Sequence, residues 1–143
     1  MKFIYITLIF MLFTTSVKAE KLTIYTYDSF VSEWGPGPII KKQFEKNYGI
    51  DLELVAVDSA ATLLNKVILE GKNTKADIVL GLDMNLFDIA KESNLFDKHS
   101  LTNLNEKLNL PISWDSNIFV PYNFGYFAFV YNNKNLDTPP KSM

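Results

Sequence analysis

The stretch LTIYTYDSFVSEWGPGPIIKKQFEKNYGIDLELVAV, residues 22–57, decides the fold. Residues 22–27 are β-branched and aromatic, and read as a first strand. Gly37-Pro38 then offers an N-cap followed by proline at the first helical position. Ile40, Phe44 and Tyr48 recur at i, i+4 and i+8, one apolar helical stripe, and Gly49 stops the helix. Residues 50–57 read as a second strand, with Leu52, Leu54 and Ala56 on one face. Strand, stiff loop, helix and strand make one βαβ unit, and that points to an α/β domain.

The alternation continues downstream. Asp58 or Ser59 is placed to cap a helix whose core face is Leu63, Leu64, Val67 and Ile68, with Gly71 at its end. Residues 77–82, DIVLGL, are almost wholly apolar, as expected of a central parallel strand covered on both faces. Residues 85–92 read as a third helix with Leu86, Ile89 and Ala90 inward. After a polar stretch come two aromatic, strand-like segments, NIFVPYNFG (117–125) and YFAFVYNN (126–133). Phe124, Tyr126, Phe127, Phe129 and Tyr131 read there as core and sheet faces, and His99 before them as a surface residue. The expected fold class is therefore α/β, with a mostly parallel sheet flanked by helices.

The N-terminus, MKFIYITLIFMLFTTSVKAEK, has a different character. Lys2 is followed by an apolar run over residues 3–13, too short to span a bilayer comfortably. Val17 and Ala19 put small residues at −3 and −1 of a cleavage site before Glu20. Residues 1–19 thus read as a signal peptide, and the product as a soluble exported protein. The C-terminal DTPPKSM has the form of a turn with a helix about to start, and reads as the first part of a longer chain.

The chain has 143 residues, 14 basic side chains against 16 acidic, and no cysteine. A disulfide framework, a thiolate metal site and a cysteine nucleophile are thereby excluded for this sequence. Every basic residue is lysine, and loss of Lys2 and Lys18 with the leader leaves 12 against 16, a net charge of −4. Phosphate binding needs a basic stripe, so nucleic acid is disfavoured as a partner. Neither a P-loop nor a dinucleotide fingerprint is present. A single histidine supports neither a metal site nor a triad.

Ligands of open parallel sheets bind beyond the carboxyl ends of the strands. That rule selects Tyr27-Asp28, Asp58-Ser59 and Asp83-Met84-Asn85. Three carboxylates near Tyr27 and Trp34 favour a cation, since aromatic faces attract organic cations by about 0.5–2 kcal/mol each. Helix N-termini close by favour an anion. The combination suits a small ligand with a positive aromatic ring and a negative tail. The same aspartates also serve as helix caps, Tyr27 also suits a core position, and Trp34 also suits a bare surface loop.

Three blocks, LTIYTYDSFVSEWGPGP, LLNKVILEGKNTKADIVLGLDMN and FVPYNFGYFAFVYNNKNLDTPPKS, resemble the periplasmic thiamine-binding proteins of thiamine ABC importers. The resemblance covers residues 21–142. It implies a type II periplasmic-binding-protein fold, with two α/β lobes around a ligand cleft. Residues 20–143 would then be most of the N-terminal lobe, apparently truncated, with the second lobe absent. It also implies capture of thiamine and its mono- and diphosphate, delivery to an inner-membrane permease, a periplasmic location, a monomer and no cofactor. Tyr27 and the loop Ser59-Ala60 belong to the ligand site by this resemblance. That loop departs from the family's acidic residue followed by glycine, although Asp58 stands just before it. Asp28, Trp34 and Asp83 join the candidate site from the strand-end argument alone. Related readings are a binding protein for ferric iron or a polyamine, or a truncated lobe without ligand. Thiamine-cleaving enzymes of similar fold use a cysteine, which is lacking here, so no enzyme is expected.

Overall fold

The computed structural model describes residues 20–109, 111, 113–125, 128 and 130–138. The signal-peptide reading, Tyr126, Phe127, Phe129 and the PPKSM end lie outside the described residues. The chain divides into two compact units after Leu95.

In the first unit β1 (Lys21–Tyr27) leads through a single helical turn, α1 (Asp28–Val31), into α2 (Gly37–Tyr48) and β2 (Asp51–Val57). Then come α3 (Ala60–Glu70), a 3-10 turn (Gly71–Asn73) and a short β3 (Ile78–Val79). A second 3-10 turn (Met84–Leu86) runs into α4 (Phe87–Glu92). The three strands form one parallel sheet in the order β2-β1-β3. β1 pairs with β2 along its whole length, Lys21 opposite Asp51 and Tyr27 opposite Val57. It pairs with β3 at Ile24–Ile78 and Tyr25–Val79. The connections leave β1 towards one side and β2 towards the other, so the right-handed crossover rule places α2 and α3 on opposite faces of the sheet.

This order corrects one expectation. The central strand is β1, not the third. Four successive residues, Thr23 to Thr26, are buried because neighbours flank them on both sides. β3 is the edge among the described strands, and Ile78 is 44% exposed. It is also shorter than residues 77–82. Backbone bonds from Asp77 N–H to Thr23 O and from Leu80 N–H to Tyr25 O, both 2.9 Å, flank it. The chain then leaves the extended region at Gly81, whose φ is +113°.

Helix α3 follows the sequence closely. Ser59, not Asp58, is its cap: the Ser59 Oγ accepts a bond from the Thr62 N–H at 3.1 Å. Leu63, Leu64 and Val67 are buried, while Ile68, expected in the core, is 39% exposed, at the margin of the stripe. Glu70, at the end of α3, receives the Lys66 ammonium at 2.6 Å and the Thr74 hydroxyl at 3.0 Å. The Tyr25 hydroxyl donates to the same carboxylate at 3.4 Å, and the Lys66 ammonium lies 4.9 Å from the Tyr25 ring centre. This network ties α3 to the central strand.

Helix α2 starts one residue earlier than expected, with Pro36 as cap and Pro38 in the first turn. Its stripe is only partly covered. Ile40 is exposed and Tyr48 is 67% exposed, although the Phe44 and Tyr48 rings meet at 4.8 Å. Polar contacts hold the helix to β2 instead. The Glu45 carboxylate accepts the Leu52 N–H at 3.0 Å, and the Lys41 ammonium binds both Glu45 and the Leu52 carbonyl. The third expected helix begins as the 3-10 turn. Within it Ala90 is buried, but Ile89 is exposed.

The second unit holds α5 (Leu104–Leu108), a short helix in the polar stretch. Asn105 pairs with the Trp114 backbone, accepting its N–H at 2.8 Å and donating to its carbonyl at 3.0 Å. The Trp114 indole N–H donates to Phe119 O at 2.9 Å. His99 is half-buried, not a plain surface residue. Its Nε2 meets the Ser116 carbonyl at 3.0 Å and its Nδ1 accepts the Leu101 N–H at 3.3 Å, so the neutral Nε2–H tautomer fits both partners. Residues 117–125 form no strand, and Phe124 and Tyr131 are exposed. Aromatic, β-prone composition makes a strand only where a ladder satisfies the backbone. Among the described residues a backbone bond from His99 N–H to Asn117 O, at 2.8 Å, stands in its place.

Candidate functional site

Parallel pairing carries all three strands to the same edge. Tyr27 is the last residue of β1, Val57 the last of β2, and they are register partners. Adjacent strands run about 4.8 Å apart, so Tyr27-Asp28 and Asp58-Ser59-Ala60 leave the sheet side by side. Gly81 lies against the Tyr27 ring, and this brings the third strand's exit, with Asp83 two residues on, to that edge.

Each candidate has a definite local role. Tyr27 is half-buried in an extended conformation and caps α1 without a side-chain bond. Its ring meets Phe30 edge-on, centroids 5.9 Å apart at 66°. Asp28 is exposed in the first turn of α1, where a carboxylate complements the helix dipole. Asp58 is exposed, and the capping of α3 by Ser59 leaves its carboxylate out of that role. Ala60 is half-buried as the first residue of α3. The Asp83 carboxylate is exposed but engaged: it accepts the Asn85 N–H at 2.9 Å, capping the 3-10 turn. The edge therefore carries three carboxylates, one partly exposed aromatic ring and the starts of three helical segments.

Trp34 lies on the loop after α1 and not at a strand end. It is 81% exposed. The glycines beside it explain the loop. A Cβ on Gly35 would lie 2.3 Å from the Ser29 carbonyl oxygen, and one on Gly37 2.6 Å from that of Phe30. The WGPGP segment is pressed against the backbone of α1, and only glycine permits that approach.

Two site-shaping residues escaped the sequence reading. Phe30, almost fully buried, lies in a four-residue helix too short to show periodicity. Gly81 looked like part of an apolar strand. A glycine inside such a run is the one available signal of close backbone approach. At the opposite end of the strands lies a shallow cleft of about 420 Å³, lined by Lys21, Pro38, Lys41, Asp51 and Glu53 among others. Its charges are spent on one another: Lys21 pairs with Glu53 at 2.7 Å, and Lys41 with Glu45 at 2.5 Å and Asp51 at 3.5 Å. The strand-end edge remains the better candidate.

The parallel sheet flanked by helices, with an open edge at its carboxyl ends, matches part of a solved periplasmic binding protein. That structure, a periplasmic thiamin binding protein, superposes with a TM-score of 0.73 at 48% identity, covering 89% of this chain and 39% of that one. The sequence is likewise similar to proteins named thiamine-binding periplasmic protein. Identity is 47% to that of Escherichia coli K12, over 85% of this chain and 37% of the relative. It is 51% to that of Brucella abortus, over 87% and 36%. It is 43% to that of Haemophilus influenzae, over 100% and 44%. The chain thus spans about two fifths of these relatives' length, a partial lobe of the fold. No protein-family model matches it.

Proposed function

We propose that this chain is most of the N-terminal lobe of a periplasmic solute-binding protein that captures thiamine and its mono- and diphosphate for an ABC importer. Tyr27, Asp28, Asp58, Ser59, Ala60 and Asp83 form the lobe's half of the ligand site, with Trp34 as an outlying contact. Residues 1–19 direct export to the periplasm and are removed, residues 20–143 are the lobe itself, and an inner-membrane permease receives the ligand. The lobe acts as a monomer, without cofactor and without catalysis.

One observation carries this reading: the register that sets Tyr27 beside the exit of β2, with Asp28 and Asp58 flanking it. A cationic thiazolium ring is attracted to an aromatic face and to carboxylates at once. The N-termini of α1 and α3 open at the same edge, and α3 is long enough to favour a phosphate tail there. The similarity to thiamine-binding proteins supports the choice of ligand.

A single lobe supplies one wall of a cleft, so burial and stacking stay incomplete. Residues 20–143 alone are expected to bind thiamine weakly. Calorimetry with thiamine and its diphosphate tests this, and submicromolar affinity for the isolated chain would contradict the half-site. Native mass spectrometry of the protein from its own periplasm reports length and retained ligand together. A mass near residues 20–143 with no thiamine adduct would favour a lobe that has lost capture.

A further inference from the structure

Gly81 has an unusual relation to Tyr27. A Cβ at Gly81 would stand 2.3 Å from Cδ1 and 2.6 Å from Cε1 of the tyrosine ring. The Cδ1–Cε1 edge of the ring therefore abuts the backbone of the β3 exit. It also meets Phe30, almost fully buried in α1, with ring centroids 5.9 Å apart. The bond from Leu80 N–H to Tyr25 O fixes the β3 exit beside the end of β1. In sheets with this strand order, the crevice between the first and third strands is where ligands bind.

We propose that Gly81 is a positioning residue for thiamine binding. By lacking a side chain, it lets the Cδ1–Cε1 edge of the Tyr27 ring abut the β3 exit, which sets the ring's place at the strand-end edge. The proposal rests on the thiamine reading of that edge and adds a determinant to it. Any side chain at Gly81 displaces the ring, because its Cβ would overlap Cδ1 and Cε1. The loss then appears in affinity, through Tyr27, and not only in stability.

Proton NMR of the 143-residue chain, with thiamine added to millimolar concentration, tests this. In the free protein the Gly81 Hα resonances are expected downfield, deshielded at the edge of the Tyr27 ring. Tyr27→Phe keeps that shift and Tyr27→Leu abolishes it. Thiamine is expected to move the Tyr27 ring and Gly81 resonances together. Gly81→Ala displaces the free-state Tyr27 resonances and weakens binding roughly 2- to 30-fold, the range of one aromatic–cation contact. In a Tyr27→Leu background the same change adds less than about twofold. Wild-type affinity in Gly81→Ala overturns the positioning role while leaving the thiamine reading intact. A wild-type titration that moves neither Tyr27 nor Gly81 overturns the thiamine reading and the proposal with it. If Gly81→Ala fails to fold, the Tyr27 variants decide: a downfield shift that survives Tyr27→Leu overturns the packing on which the role depends.

Discussion

Gly37 lies against the Phe30 carbonyl, so close that a Cβ would stand 2.6 Å from its oxygen. Backbone, unlike a flexible side chain, yields only by moving α1 or α2. Gly37→Ala is therefore expected to destabilise the first unit by about 1–3 kcal/mol, the usual cost of forcing a methyl into a filled space. Urea unfolding checks this, and an unchanged midpoint would show that the α1–α2 junction yields freely.

Thr26 presents the reverse situation. It is fully buried in the central strand, and its Oγ1 has no hydrogen-bond partner among the described residues. Valine has nearly the same shape without the hydroxyl. Thr26→Val is expected to raise stability by about 1 kcal/mol, since an unsatisfied buried polar group costs about 1–3 kcal/mol. A lower urea midpoint in the variant would mean that the hydroxyl has a partner in solution.

Leu63, on α3, is completely buried. Leu63→Ala should cost about 2–5 kcal/mol by transfer and cavity terms together. Ser59→Ala, at the cap of the same helix, should cost about 1 kcal/mol. The ratio of the two losses in one denaturant series checks whether packing or capping dominates α3.

Glu70 makes stability depend on acid. The Lys66 ammonium, and then the Thr74 and Tyr25 hydroxyls, hold its carboxyl below the usual carboxylate range. A folded-state pKa lower than the unfolded one gives stability that is full above the unfolded value and is lost as pH falls through the folded one. Glu45, held low by Lys41, and Glu53, held low by Lys21, act in the same direction. Glu70→Gln should therefore shrink the fall in melting temperature between neutral and acid pH. Burial, with Glu70 beside it, pushes the Tyr25 phenol up. Its contribution is full below the ordinary phenol range and fades as pH rises through the folded value. Equal acid slopes in wild type and Glu70→Gln would remove the network from this role.

Trp34 separates ligand contact from surface. At 81% exposure, its replacement by alanine should leave stability within about 0.5 kcal/mol of wild type. As a ligand contact it should still weaken thiamine binding. An unchanged thiamine titration would assign the WGPGP loop to the packing of Gly35 and Gly37 alone.

Local chemistry was enough to read most elements of the first unit. The β-branched run of β1, the Ser59 cap and the Leu63, Leu64, Val67 stripe are statements about neighbours in the chain, and they hold in the structure. The candidate edge was readable for the same reason: the carboxyl ends of parallel strands are set by direction, and direction follows from the βαβ alternation. Glu20 onward thus announced a parallel α/β unit with acidic strand exits before any contact was known.

Tertiary structure decided what depends on partners far along the chain. It made β1 the central strand, because pairing on both sides is a relation among three segments. It left the α2 stripe and residues 117–125 without the cover or ladder that their composition favours, because a face or an edge is buried only by something else. It also set the Tyr27 ring on Gly81, 54 residues apart in the chain. No periodicity encodes that contact. It exists because the parallel register brings two strand exits together, and because a missing side chain leaves room for a ring.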